Sequence, residues 1–235
     1  MADRRVEVAG VSFENPVIPA SGAFGFGHEY EKLYPLSRLG GISVKGMTRL
    51  PKAGNPPPRI AETPMGMLNS VGLQNPGIDH FIEKELPYLA GKGTRIIANV
   101  AGSTVEDCVV MAEKLEGTAV DMIELNISCP NVRQGGAAFG TSCEAAAGIT
   151  EAVRKATTKP LMVKLSPNAT DITAIARAVE AAGADAVSLI NTLLGMRIDI
   201  NSRRPVLRNN VGGMSGPAVF PIAVRMVWQV ANAVK

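Results

Sequence analysis

Cysteine is scarce in this 235-residue sequence, which contains only Cys108, Cys129 and Cys143. No two of them have the C-x-x-C spacing. An odd and scattered set of thiols excludes a disulfide framework and a thiolate metal cluster. We therefore expect reduced cysteines and no bound metal.

The sequence also lacks any apolar run of the roughly 20 residues needed to cross a bilayer. Its first residues are charged and lead into the alternating Val6-Glu7-Val8, without the apolar segment of a secretory signal. Basic residues number 24 and acidic residues 21, and the formal net charge of +3 is too small for a typical nucleic-acid surface. These absences predict a cytoplasmic protein that binds neither a membrane nor a nucleic acid.

Glycine and proline are plentiful, with 24 and 16 residues, and 46% of the chain is hydrophobic. This composition fits a globular protein with a large core and many turns. Neither an internal repeat nor a linker between domains is evident. We expect residues 1–235 to form a single domain.

Short β-type runs alternate with helical runs along most of the chain, which predicts a parallel sheet. A short N-terminal β-hairpin is predicted over Val6 to Phe13. The predicted strands are Pro16 to Ala20, Gly41 to Val44, Arg95 to Val100, Met122 to Ile127, Leu161 to Leu165 and Ala186 to Ile190. The predicted helices are Ile78 to Leu89, Val105 to Leu115, Cys143 to Ala156, Ile172 to Ala182 and Ala218 to Val234. Two stretches rich in glycine and proline, Met47 to Gly77 and Leu193 to Pro217, are predicted as functional loops.

Polar residues follow the predicted strands at the points where these strands end. They include Lys45, Asn99, Asn126, Lys164 and Asn191. In a TIM (β/α)8 barrel the carboxyl ends of all strands meet at one rim, which collects such residues into an active site. A doubly wound open sheet is the alternative, but it binds ligands only near a switch point and not along five successive strands. The α/β pattern therefore favours a barrel.

The segment Glu124-Leu125-Asn126-Ile127-Ser128-Cys129-Pro130-Asn131 leads directly from a strand to a cysteine. Cys129 is either a thiol that faces a ligand or a small buried hydrophobic residue, as most free cysteines are. Cys108 and Cys143 lie within helical patterns and are predicted to be structural. His28 and His80 have no cluster of metal ligands nearby in sequence and are predicted to be structural as well.

Together these segments resemble the dihydroorotate dehydrogenase family over essentially the whole chain. The residues that carry the resemblance are Asn15 to Val17, Ala20 to Gly22, Ser43 to Gly46, Gly54 to Arg59, Met67 to Gly77, Asn126 to Asn131, Val163 to Asn168 and Gly212 to Pro217. The details of Ile42 to Gly46 and Gly72 to Gly77 are most similar to the class 1B catalytic subunits. A cysteine at position 129 also distinguishes the chain from the quinone-linked class 2 members, which carry serine at the matching position.

The resemblance implies oxidation of dihydroorotate to orotate in pyrimidine biosynthesis, with FMN as the cofactor. It implies that electrons then pass to NAD⁺ through a partner subunit that carries FAD and a [2Fe-2S] cluster. It also implies a dimer of catalytic subunits within a heterotetramer. Cys129 matches the base that removes the C5 proton.

The resemblance also assigns binding positions, residue by residue. The positions that match FMN contacts are Ser21, Lys45, Gly46, Asn99, Asn126, Lys164, Ile190 and Gly216. The positions that match substrate contacts are Lys45, Asn69, Ser70, Val71, Gly72, Leu73, Asn126, Asn191 and Thr192. The amides among them can donate and accept hydrogen bonds at once, which suits the alternating N–H and C=O edge of a pyrimidine ring.

The predicted barrel is incomplete, because the pattern provides about six βα units where a full barrel has eight. The family's last two strands, which bind the FMN phosphate, have no counterpart, and we expect the chain to be a fragment of a longer protein. Three other functions are considered. They are a flavin-dependent dihydropyrimidine dehydrogenase module, a tRNA-acting flavin reductase and a catalytically silent chain with only an interaction role.

Overall fold

The structure is a computed structural model that describes residues 3–128 and 139–235. Its strands are β1 (Val6–Val8), β2 (Val11–Phe13), β3 (Gly41–Ser43), β4 (Ile60–Thr63), β5 (Gly66–Asn69), β6 (Arg95–Val100), β7 (Met122–Asn126), β8 (Leu161–Lys164), β9 (Ala186–Ser188), β10 (Leu193–Met196), β11 (Ile198–Asp199), β12 (Arg204–Pro205) and β13 (Val211–Ser215). Its α-helices are α1 (His28–Glu31), α2 (Ile78–His80), α3 (Leu86–Ala90), α4 (Val105–Glu116), α5 (Cys143–Ala156), α6 (Ile172–Ala181) and α7 (Phe220–Ala231). A π-helical segment, Phe81–Glu85, joins α2 to α3, and 3₁₀ turns cover Leu36–Arg38, Phe139–Thr141 and Pro217–Val219.

The main sheet is parallel and has the strand order β3-β6-β7-β8-β9. Helices α4, α5 and α6 connect its strands, and neighbouring helices pack against each other in chain order. This is the βα succession that the hydrophobic pattern predicts, with strand and helix ends that differ by at most three residues.

Each connecting helix starts at a polar side chain that caps its first turn. The hydroxyl of Thr104 accepts from the main-chain N–H of Asp107 at the start of α4. Ser142 and Asp171 cap α5 and α6 in the same way. These side chains satisfy N–H groups that have no partner within the helix, which explains where the helices begin.

The predicted strand over Pro16 to Ala20 is wrong, although the segment runs beside the sheet. The carbonyls of Val17 and Pro19 accept bonds of 3.0 and 3.3 Å from the N–H groups of Gly40 and Ser43. Pro16 and Pro19 have no N–H to donate in return, so a complete strand ladder cannot form. The segment therefore lies along the β3 edge as an extended chain.

The N-terminal hairpin of β1 and β2 is confirmed. Its two-residue turn, Ala9-Gly10, has φ angles of 50° and 76°, the left-handed geometry that matches the twist of a hairpin. Phe13 is fully buried and joins an apolar cluster with Ile97 and Met122 of the main sheet. The hairpin thus covers one end of the sheet interior.

The two predicted long loops contain strands of their own. Strands from both loops form an antiparallel sheet with the order β10-β13-β5-β4. In it Asn69 lies opposite Gly213, and Leu193 lies opposite Met214. The sequence pattern missed these strands because the glycines within them, at 66, 195, 212 and 213, are typical of loops.

The described part of the chain contains no helix long and apolar enough to cross a membrane.

Candidate functional site

The main sheet is strongly curved around one buried side chain, Glu124 in the central strand β7. Its two carboxylate oxygens accept hydrogen bonds from Ser43 in β3 at 2.5 Å and from Ser188 in β9 at 2.6 Å. These two strands are the opposite edges of the sheet and would lie about 19 Å apart if it were flat. The sheet therefore closes around the carboxylate as part of a barrel.

The concave side of the sheet is built in layers, because every second residue of a strand points to the same face. The layer nearer the amino ends of the strands is apolar and contains Ile97, Met122 and Met162. Two residues further along β6 and β7, Asn99 and Glu124 form a polar layer above it. The interior thus changes from apolar to polar toward the carboxyl ends of the strands, where the predicted site residues lie.

Glu124 is 4% exposed and has a third partner, the Nδ2 atom of Asn99, at 2.6 Å. Three donors around a buried carboxylate compensate for much of its lost hydration. Glu124 is not among the site residues predicted from the sequence. A charged residue inside the otherwise apolar run Met122 to Leu125 was the signal that could have identified it.

A chain of side-chain hydrogen bonds continues from Asn99 along the rim. Asn126 donates to Asn99 Oδ1 at 3.4 Å, and its own Oδ1 accepts from the N–H and hydroxyl of Ser128 at 3.1 and 2.5 Å. The Ser128 hydroxyl accepts from Asn191 Nδ2 at 2.8 Å, and Asn191 Oδ1 accepts from Thr192 N–H at 2.8 Å. The structure therefore brings together four predicted site residues and adds Ser128.

The β3 end brings Lys45 and Gly46 to the same rim. The main-chain N–H of Lys45 donates to Gly25 O. The Lys45 ammonium lies 3.8 Å from the position that a Cβ on Gly22 would occupy, and Ser21 precedes this glycine in the sequence. A Cβ on Gly46 would lie 2.7 Å from Asn99 Oδ1, so the strand end can approach this amide only as glycine.

Lys164 ends strand β8, where it pairs with Asn126 on one side and Ser188 on the other. The residue is only 8% exposed. Within residues 3–128 and 139–235 its ammonium has neither a hydrogen bond nor an ion pair. A mostly buried lysine whose cation lacks a protein partner fits a site that receives an anionic ligand.

The predicted substrate segment, residues 69–73, is held from behind by the preceding loop. Asn55 donates from Nδ2 to Ser70 O at 2.8 Å and from its main-chain N–H to Val71 O at 2.9 Å. Arg59 O accepts from Ser70 N–H at 2.7 Å. These bonds fix the backbone of the segment from the side of Asn55 and Arg59.

Contacts at both ends connect this segment to the rim. A methyl carbon of Leu73 lies 3.4 Å from the position of a Cβ on Gly46. At the other end, Asn69 donates from Nδ2 to Gly213 O at 3.4 Å. Both residues belong to the antiparallel sheet, and strand β10 of this sheet directly follows the rim residue Thr192. The hydroxyl of Ser70 is buried and has no hydrogen-bond partner in the described residues.

Gly216 and Ile190 are not joined to the rim by these contacts. Gly216 packs on the turn between β4 and β5, where a Cβ would lie 2.6 Å from Gly66 Cα. Ile190 directly precedes Asn191 and packs against the main core. Cys129, the predicted base, lies outside the described residues and follows Ser128 in sequence.

The other cysteines and the histidines lie elsewhere. Cys108 is buried in α4, and burial raises the pKa of its thiol to about 12. Cys143 is exposed at the start of α5. His28 and His80 both contact the carboxylate of Glu85, at 2.6 and 3.3 Å. No group of three or more metal-ligating side chains occurs in the parts of the chain that are described.

Comparisons with known proteins point to one family. A family model for dihydroorotate dehydrogenase matches residues 4–235. The chain is 56% identical over 230 residues to the dihydroorotate dehydrogenase B (NAD(+)) catalytic subunit of Geobacillus kaustophilus, which covers 97% of this chain and 74% of that protein. It is 57% identical over 230 residues to the subunit of the same name from Alkaliphilus metalliredigens, covering 98% of this chain and 76% of that protein.

A solved structure gives the same fold. The crystal structure of DHODH from Eimeria tenella in complex with ferulenol matches with a TM-score of 0.75, covering 99% of this chain and 71% of that one. At 21% identity this likeness concerns the fold alone. Together with the curved parallel sheet it confirms the predicted barrel fold.

Proposed function

Because the chain belongs to the dihydroorotate dehydrogenase family, we propose that it oxidises dihydroorotate to orotate in pyrimidine biosynthesis. It acts as the catalytic subunit of an NAD⁺-linked enzyme, the activity by which its relatives are named. The observation that carries this proposal is the position of Lys164, which is only 8% exposed, at a strand end beside a rim of amide side chains, with no hydrogen bond or ion pair to its ammonium in the described residues.

The residues of the rim fit FMN as the cofactor. The Lys164 ammonium, without a partner among the described residues, suits the edge of the flavin ring that becomes negatively charged on reduction. Asn99, Asn126 and the backbone at Gly46 are proposed as further contacts at the rim, where the fully buried Asn99 is hydrogen-bonded to Glu124 and Asn126. The remaining proposed contacts are Ser21, Lys45, Ile190 and Gly216. FMN, when bound, supplies the acceptor for the hydride that leaves C6 of dihydroorotate.

The substrate is proposed to lie between the rim amides and the segment 69–73. Asn69, Asn126 and Asn191 donate and accept along the alternating ring edge of the pyrimidine. Lys45 and the N–H groups of the segment bind its carboxylate. The hydroxyl of Ser70, which has no hydrogen-bond partner among the described residues, supports a polar ligand at this place, because a buried hydroxyl without a hydrogen bond is costly.

Cys129 is proposed as the base that takes the proton from C5 of dihydroorotate. A thiol has a reference pKa of about 8.5, so only a minority is thiolate at pH 7 and the rate should rise with pH. Positive charge from Lys45 and Lys164 is proposed to favour the thiolate. Cys108 does not compete for this role, since its pKa is raised to about 12 by burial.

The chain is proposed to form one FMN-binding domain that works with a second subunit. That partner carries FAD and a [2Fe-2S] cluster and passes electrons to NAD⁺. A homodimer of catalytic subunits joined to two such partners completes the proposed heterotetramer. The proposed location is the cytoplasm.

The test is an anaerobic visible absorption spectrum of the purified chain with FMN added, followed by dihydroorotate. Bleaching of the flavin bands is the expected result. Dihydrouracil, which lacks the carboxylate, is the matched control and should leave the bands unchanged. Bleaching by dihydrouracil but not by dihydroorotate would instead identify a dihydropyrimidine dehydrogenase. A chain that retains flavin but is bleached by neither compound would contradict the proposed function.

A further inference from the structure

Glu124 is the buried charged residue at the centre of the site that the proposed mechanism does not use. It receives three hydrogen bonds of 2.5 to 2.6 Å, from Ser43, Asn99 and Ser188. These donors come from β3, β6 and β9, so one carboxylate joins both edges of the sheet to its middle.

Strands β3, β7 and β9 lead to proposed ligand contacts just beyond these bonds, and on β6 the bonded residue Asn99 is itself a proposed contact. Lys45 follows Ser43 by two residues, and Asn191 follows Ser188 by three. Asn126 follows Glu124 by two residues and therefore points to the same face of β7. The side chains proposed to surround the ligand are thus attached to strands whose separation the carboxylate sets.

The carboxylate also determines which way the Asn99 amide points. A carboxylate only accepts hydrogen bonds, so the NH₂ end of Asn99 must face Glu124. The Oδ1 end then faces Asn126 and Gly46. The bond to Glu124 is 2.6 Å long and that to Asn126 is 3.4 Å, so the carboxylate dominates this orientation.

We propose that Glu124 is a positioning residue that holds the rim of the site in the shape that binds flavin and orotate. It does so through hydrogen bonds to the two edge strands and to Asn99, and it touches neither ligand. This inference rests on the proposed function.

Two substitutions separate this role from that of a negative charge. Glu124→Leu fills a similar volume and removes all three bonds. Glu124→Gln is neutral and can keep them, because Oε1 can accept from Asn99 and Ser43 while Nε2 donates to the Ser188 hydroxyl. Dissociation constants for FMN and for orotate, from flavin absorption and fluorescence, are the readouts. We expect Glu124→Leu to weaken both by about tenfold or more, and Glu124→Gln to stay within about threefold of the unmodified chain.

Thr150→Val is the matched control for the loss of a buried hydrogen bond. Thr150 is fully buried in α5 and donates to Ala146 O at 2.7 Å, outside the contacts that form the rim. It should lower the unfolding temperature without changing either dissociation constant. If Glu124→Leu fails to fold, Ser188→Ala removes a single bond and should weaken orotate binding severalfold.

The outcomes that overturn the inference are distinct. Unchanged binding in Glu124→Leu, or in Ser188→Ala where the leucine variant does not fold, would show that the rim keeps its shape without these bonds. Equal losses in the leucine and glutamine variants would assign the effect to charge and not to positioning. If the unmodified chain binds FMN but neither binds orotate nor is reduced by dihydroorotate, the proposed function itself fails.

Discussion

Asn75 donates a hydrogen bond of 2.6 Å from Nδ2 to the main-chain oxygen of Leu73. Leu73 has a φ angle of 55°, in the left-handed region that is unfavourable for a branched side chain. The same Asn75 side chain accepts from the N–H groups of Thr48 and Gly77 at 3.1 and 2.9 Å. One buried amide thus holds the end of the proposed substrate segment in a strained conformation.

Replacing Asn75 with alanine should release this segment. We expect Asn75→Ala to weaken orotate binding by about tenfold and to lower the free energy of unfolding by about 2 kcal/mol, since two buried N–H groups lose their acceptor. Orotate titration of the flavin spectrum and urea denaturation are the measurements. Asn232→Ala, at an exposed helix end, is the control. Lower stability with unchanged orotate affinity would show that Leu73 keeps its position without this bond.

Lys164→Met should alter the flavin more than the fold. The substitution keeps most of the side-chain volume and removes a cation that has no hydrogen-bond or ion-pair partner in the described residues. We expect the midpoint potential of the bound flavin to fall by about 30 mV or more, equivalent to about 1.4 kcal/mol for a two-electron couple. Anaerobic potentiometric titration measures it, with exposed Lys155→Met as the control. A potential within a few millivolts of that of the unmodified chain would remove Lys164 from this role.

The hydrophobic pattern predicted most of the parallel sheet and its helices, because each of these strands and helices has a clear pattern of apolar residues along its own segment. It failed at Pro16 to Ala20, where the apolar run looks like a strand but the prolines cannot complete a ladder. It also missed β10 and β13, because their glycines are typical of loops and only the pairing of β10 with β13 and of β13 with β5 makes them strands. Such long-range pairing leaves no local sequence signal.

The candidate site shows a similar division. Polar residues at strand ends could be grouped from the sequence, because parallel strands bring their carboxyl ends to one rim. The contact between Ser43 and Glu124 could not, since it depends on the curvature of the sheet across residues 81 positions apart. Ser128 was not selected either, because a serine beside a candidate cysteine gives no signal of its own.

Cys129→Ala should leave flavin bound and slow its reduction by dihydroorotate by about 10²- to 10⁴-fold, the usual contribution of a general base. Cys129→Ser should be partly active, and only at high pH, because a hydroxyl loses its proton far less readily than a thiol. Stopped-flow absorption under anaerobic conditions measures the rates across pH. Cys143→Ala, at the exposed start of α5, is the control. Reduction of the alanine variant within about threefold of the unmodified rate would exclude Cys129 as the base.

Glu116 at the end of α4 should make stability depend on pH in the acid range. The hydroxyls of Thr157 and Thr158, and the Thr158 N–H at 3.0 Å, donate to its carboxylate and lower its pKa to about 2. Its ordinary pKa is 4.5, so the folded state binds the proton less readily than the unfolded state. The resulting stability is fully present above about pH 4.5 and is lost as the pH falls toward 2.

Glu116→Gln should therefore remove this dependence. We expect it to cost about 1–2 kcal/mol at pH 7, a value reduced from the full pKa shift because solvent screens a partly exposed group. The difference between the two proteins should shrink as the pH falls from 4.5 toward 2. Urea denaturation at a series of pH values measures this, with exposed Glu113→Gln on the same helix as the control. A difference that stays constant over this range would show that the threonine contacts at the end of α4 do not depend on the ionised carboxylate.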